Sequence, residues 1–186
     1  MTAGDRWGWK ARLGMFIVSS EVVPEAEWWA MMPQDVSVHA ARVTAPTPWA
    51  RWSADRTSVE LEADVARGAA QLAAMRLSAV TVAHSSSSIA GGQGWDDAIA
   101  ERLSAILGPG TTVTTKGRDC QAALRAVNVE RPFPVFPAWF AASSLTTGVA
   151  YFAGHGLRPT GHMRVDPGRT WRDANPRDLY SLGMHL

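Results

Sequence analysis

The stretch that decides the fold is Val80–Asp97, VTVAHSSSSIAGGQGWDD. Val80, Thr81, Val82 and Ala83 form a short β-branched and apolar run, the pattern of a buried strand. His84 and the serines Ser85 to Ser88 follow directly, and Gly91-Gly92-Gln93-Gly94 supplies a turn. Trp95, Ile99, Leu103 and Ile106 then recur at helical spacing. Strand, polar small-residue loop and helix start, in that order, place ligands in open α/β sheets. Hydroxyls and backbone N–H groups face the ligand, and the helix N-terminus favours an anion. The candidate site is therefore this serine loop.

Upstream, Arg12–Val18 (RLGMFIV) is a continuous apolar run, as expected of a strand covered on both faces. Ser19 and Ser20 end it. Pro24 suits a first helical position, and EAEWWAMM reads as a helix stopping at Pro33. Val36–Val43 reads as a second strand. The segment TAPTPWARWSADR is expected to be a surface loop able to act as a lid. Thr57-Ser58-Val59-Glu60 matches a capping box, opening a helix with Leu61, Val65, Ala69, Leu72 and Met75 on one face.

Downstream, Gly108-Pro109-Gly110 stops the helix that begins near Trp95, and Thr111–Thr115 reads as a strand. Cys120, Ala123, Leu124 and Val127 mark another helical stripe. Phe133–Phe136 reads as a strand, Trp139–Phe152 as a helix, Leu157–Val165 as a strand, and Asn175 as the cap of a final short helix. The alternation predicts an α/β fold with a mainly parallel sheet. Its first and third strands deliver Ser19, Ser20 and Ser85 to Ser88 to the ligand-binding end.

Composition narrows the class. A chain of 186 residues can bury a sizeable core, and a net charge of +1 gives no basis for a nucleic-acid partner. Arginine outnumbers lysine 16 to 2, without clustering. The single cysteine, Cys120, excludes an internal disulfide and a multi-cysteine metal site, and the histidines show no ligand-pair spacing, so no metal is expected. No apolar run reaches membrane-spanning length, and the N-terminus lacks an apolar signal core. A cytoplasmic protein with no membrane partner is expected. No GxSxG elbow, GxGxxG or P-loop occurs.

RLGMFIVSSEVVPE resembles the opening RIGLIVPSSNTVxE of the maleate cis-trans isomerase and arylmalonate decarboxylase family, within the aspartate/glutamate racemase superfamily. VSVHAARV, the serine loop, GWDDAIAERL, TTVTT, ALRAV and PAWF with GVAYFAGHGL continue the resemblance in order, across roughly Arg12 to Tyr180. It implies Rossmann-like, flavodoxin-like α/β halves, here 12–115 and an incomplete 116–186. It also implies cofactor-independent chemistry at the carbon next to a carboxylate. His84 stands where the family has its first cysteine, and Glu21 where it has an asparagine. The strand bearing the family's second cysteine has no counterpart before Leu186. Cys120 lies in a predicted helix and does not replace it. Apolar surface left uncovered by the short second half predicts a homo-oligomer.

On this reading Ser85 and Ser86 hold the substrate carboxylate with Ser19 and Ser20, and Trp139 is a substrate-facing aromatic. His84 and Glu21 are the catalytic candidates for moving a proton, and the partner is a small carboxylic or dicarboxylic acid. The residues leave rival roles open. The serines also cap helices, Glu21 suits a helix start, and His84 could simply bond a backbone carbonyl. Two other functions stay open: a catalytically inactive carboxylate-binding protein of this fold, and a flavodoxin-like module holding a cofactor phosphate.

Overall fold

The computed structural model describes residues 7–137 and 140–165. Four parallel strands form the main sheet: β1 (Ala11–Val18), β2 (Val36–Val43), β5 (Ala79–Val82) and β6 (Thr112–Thr115), in the order β2-β1-β5-β6. The order reverses between β1 and β5, so the sheet has its topological switch point there. Gly14, Met15, Phe16 and Ile17 of β1 are all buried, as a central strand requires. Their side chains alternate between two cores. Phe16 belongs to a large core with residues of α2 (Ala63–Ala73) and α4 (Trp95–Leu107). Met15 and Ile17 join Val38 and pack against Trp28 and Trp29 of α1 (Val23–Met31). This is the expected α/β class with a parallel sheet flanked by helices.

The helices form where apolar residues recur at helical spacing. Val65, Gly68, Ala69 and Leu72 are the buried face of α2, and a Cβ on Gly68 would come within 3.0 Å of Phe16 and Ala41. Trp95, Ile99, Ala100, Leu103 and Leu107 line α4. In α5 (Lys116–Ala126) the expected stripe does not hold: Gly117 and Gln121 are buried, while Cys120, Ala123 and Val127 are exposed.

Two expectations fail between residues 44 and 62. The segment read as a lid contains β3 (Ala50–Trp52), and the supposed capping box runs into β4 (Val59–Leu61), its antiparallel partner. Helix α2 begins after Glu62, so Glu60 caps nothing; Thr57 N–H donates instead to Asp55 Oδ1 at 3.1 Å. Burial of Trp49 and Val59 outweighs the local cap signal, because it removes apolar surface that a helical start would leave in water. Trp49 is 1% and Ala50 0% exposed, so the middle of this segment is anchored in the core while both its ends lie at the surface.

The chain divides into two compact units, Met1–Ala126 and Val127–Leu186. Helix α5 therefore belongs with the first unit, whereas the sequence reading placed its start, residue 116, in the second half. Its Asp119 accepts hydrogen bonds from Thr81 and Thr114 hydroxyls at 3.0 and 2.7 Å, tying it to β5 and β6. The second unit contains a parallel pair, β7 (Val135–Pro137) and β8 (Met163–Val165), with α6 (Ala142–Gly154) between them in sequence. Phe136, Tyr151 and Leu157 are buried there. Trp139 and the proposed helix after Asn175 lie outside the described residues.

Candidate functional site

The expected serine loop is a helix. Ser85–Gly91 forms α3, with His84 at its N-cap position and only Ala83 and His84 between β5 and the helix. This divides the four serines into two pairs. Ser87 and Ser88 turn inward and are 0% and 1% exposed. Ser87 Oγ accepts the Trp49 backbone N–H at 2.9 Å and lies 2.8 Å from His84 Nδ1. Ser88 Oγ donates to the buried Asp96 at 2.7 Å, and Thr115 Oγ1 donates to the same oxygen at 2.5 Å. Ser85 and Ser86 are half-buried, and neither hydroxyl has a hydrogen-bond partner among the described residues. Both are among the site residues expected from the sequence, and their hydroxyls are open to an added partner.

The glycines after α3 build a fixed corner. Gly92 and Gly94 have φ of 75° and 82°, conformations that favour glycine. A Cβ on Gly91 would lie 2.1 Å from Trp95 Cγ. Trp95 is fully buried and its indole N–H donates to Ala50 O at 2.8 Å, while Trp52 donates to Gly91 O at 2.9 Å. The glycine run therefore gives the expected turn and, with it, close packing between α3, α4 and the β3–β4 hairpin.

His84 is held tightly. Its ring stacks on Trp49 with centroids 4.1 Å apart and planes 18° from parallel. Burial, with a smaller push from the Lys116 charge, lowers its pKa from 6.5 to about 4. The imidazole is thus neutral at pH 7. It can accept a proton there but has none to give as an imidazolium.

Glu21 follows β1 in the turn to α1. Partial burial raises its carboxyl pKa, and Lys116 opposes that shift. Arg42 on β2 fixes this turn: its Nη1 donates to Ser19 O at 3.0 Å and Glu21 O at 2.7 Å, and its other nitrogen pairs with Glu25. The Ser19 N–H donates to Val43 O at 2.9 Å. Ser19 is half-buried and Ser20 exposed. Both stand at the carboxyl end of β1, beside the end of β5 that carries His84.

Sequence reasoning missed Lys116. It is the first residue of α5, directly after β6, and its charge acts on Glu21, His84 and Cys120. A lysine immediately after the TTVTT strand was the available signal. Cys120 lies one turn further along α5, confirming its helical placement. The residue is exposed overall, yet partial covering of the thiol raises its pKa, against the pull of Lys116. The strand ends therefore gather two free hydroxyls, a neutral imidazole, a carboxyl and an ammonium. Among the described residues no cluster of His, Cys, Asp and Glu could hold a metal, and no helix is long and apolar enough to cross a membrane.

No protein-family model and no curated protein matches the sequence. Solved structures do match the fold. Maleate isomerase from Pseudomonas putida S16, determined with maleate, aligns with TM-score 0.72 at 17% identity, covering 94% of this chain and 72% of that one. Unliganded arylmalonate decarboxylase aligns at 0.68 and 18% identity, over 95% and 71%. A Nocardia farcinica maleate cis-trans isomerase mutant with a covalently bound succinylcysteine intermediate aligns at 0.70 and 15% identity, over 95% and 73%. The chain has the fold of the maleate isomerases and arylmalonate decarboxylase, the fold that its ordered sequence resemblance implied.

Proposed function

We propose that the chain binds a small carboxylic or dicarboxylic acid at the carboxyl ends of β1 and β5 and acts at its α-carbon without a cofactor. The observation that carries this reading is the pair of unpartnered hydroxyls, Ser85 and Ser86, at the switch point of a sheet whose solved neighbours include a maleate complex. Ser85 and Ser86 donate to one carboxylate oxygen pair, stabilising the negative charge that grows there as the α-carbon reacts. Ser19 and Ser20 face the same ligand from β1. His84 accepts a proton, as a neutral imidazole can. Glu21, the more readily protonated for its burial, returns one.

A second reading is a carboxylate-binding protein that performs no turnover. The pKa of His84, about 4, favours it, since so weak a base is poorly matched to removing a proton near pH 7. Calorimetric titration with maleate, malonate and phenylmalonate tests binding, and proton NMR of the same acids tests turnover. The proposal expects binding that weakens in Ser86→Ala and turnover that disappears in His84→Ala. Binding of no acid, or binding indifferent to Ser86→Ala, overturns the carboxylate assignment; binding without turnover leaves the second reading.

A further inference from the structure

Lys116 is placed by strand pairing, not by chance proximity of a long side chain. Thr115, the residue before it, pairs with Val82, two residues before His84. The Lys116 backbone thus leaves the sheet one strand away from the His84–Ser86 segment, a spacing of about 5 Å between strand axes. Three contacts fix the start of α5. Thr115 Oγ1 donates to Asp96 and accepts the Arg118 N–H at 3.2 Å. Thr114 Oγ1 donates to Asp119 at 2.7 Å. Because Asp96 also accepts from Ser88, one buried carboxylate ties α3 to the residue that precedes Lys116.

The charge at this position is available. Lys116 is exposed and makes no direct salt bridge among the described residues. Arg42 is held by Glu25 and two backbone carbonyls, and Arg118 lies 3.6 Å from Asp97 in a solvent-exposed pair. Hydroxyls alone discriminate poorly between a carboxylate and a neutral carbonyl, since both accept hydrogen bonds. An ammonium discriminates strongly, because a charge-assisted bond is about twice as strong as a neutral one.

We infer that Lys116 is the cation that receives the ligand's carboxylate, and that it makes this site select ionised acids over their neutral esters. The inference rests on the carboxylate-binding reading above and adds the residue that sets its charge preference. The Lys116 charge acts on Glu21, so a bound carboxylate competes with Glu21 for it.

The test is calorimetric titration of the full chain with maleate and with dimethyl maleate, in the wild type, Lys116→Met, Lys116→Gln and Lys116→Arg, at low and high salt. The wild type should bind maleate, more weakly as salt rises, and reject the diester. Both neutral variants should weaken maleate about tenfold or more and lose most of the salt dependence. Lys116→Arg should stay within a few-fold of the wild type. Thermal midpoints of all four should agree, since the side chain is exposed. Maleate affinity unchanged in a folded neutral variant, with binding still lost in Ser86→Ala, overturns the role of Lys116 and leaves the serine site standing. A wild type that binds no acid overturns both readings.

Discussion

The His84–Trp49 stack makes a quantitative prediction about acid stability. The imidazole titrates at about 4 in the folded chain against 6.5 in the unfolded one. Between those values the unfolded chain binds a proton that the folded chain refuses. The stabilising contribution is therefore complete above pH 6.5 and is lost progressively as pH falls towards 4. At pH 5 this single group should cost about 2 kcal/mol relative to pH 7, from 1.36 kcal/mol per pKa unit over the interval crossed. The perturbation is His84→Asn, which keeps a polar side chain and removes the titration. Urea unfolding at pH 7, 6 and 5 measures it: the wild type should lose about 2 kcal/mol more than the variant across that range. His39, also lowered by burial, and Glu21, raised by it, remain in both proteins and cancel in the comparison. The imidazole Cε1 proton, followed by NMR, gives the pKa directly. A midpoint near 6.5, or identical pH dependence in the two proteins, would refute the reasoning that burial against Trp49 holds the ring neutral.

Two further outcomes follow from packing and from the Arg42 clamp. Gly91→Ala puts a Cβ 2.1 Å from Trp95 Cγ, and the indole cannot retreat because it is fully buried and bonded to Ala50 O; denaturant unfolding should show a loss of about 3 kcal/mol or more, and a loss under 1 kcal/mol contradicts the close packing. Arg42→Met removes the donors that hold Ser19 O and Glu21 O, so maleate affinity should fall several-fold while stability falls by only about 1 kcal/mol, the pair with Glu25 being partly solvated; unchanged affinity would separate the β1 turn from the site.

The sequence by itself determined the strands of the main sheet and the buried faces of α2 and α4. Continuous apolar runs at Arg12–Val18 and Val80–Ala83, and helical recurrence from Val65 to Leu72 and from Trp95 to Leu103, record which faces are buried, and burial is what fixes these elements. It also placed Ser85 and Ser86 directly after a strand end, because position in the chain is a local property. Tertiary structure decided what depended on distant partners. The capping-box pattern at Thr57–Glu60 gave way to pairing of β4 with β3, since that pairing buries Trp49 and Val59. The serine run became helix α3 with two of its hydroxyls consumed, because Trp49 from one side and Asp96 from the other supply partners that no local pattern encodes. The neutral state of His84 and the place of Lys116 beside it arise in the same way. Both depend on strand β6 pairing with β5 and on an aromatic ring that arrives from residue 49, and only the folded chain brings these together.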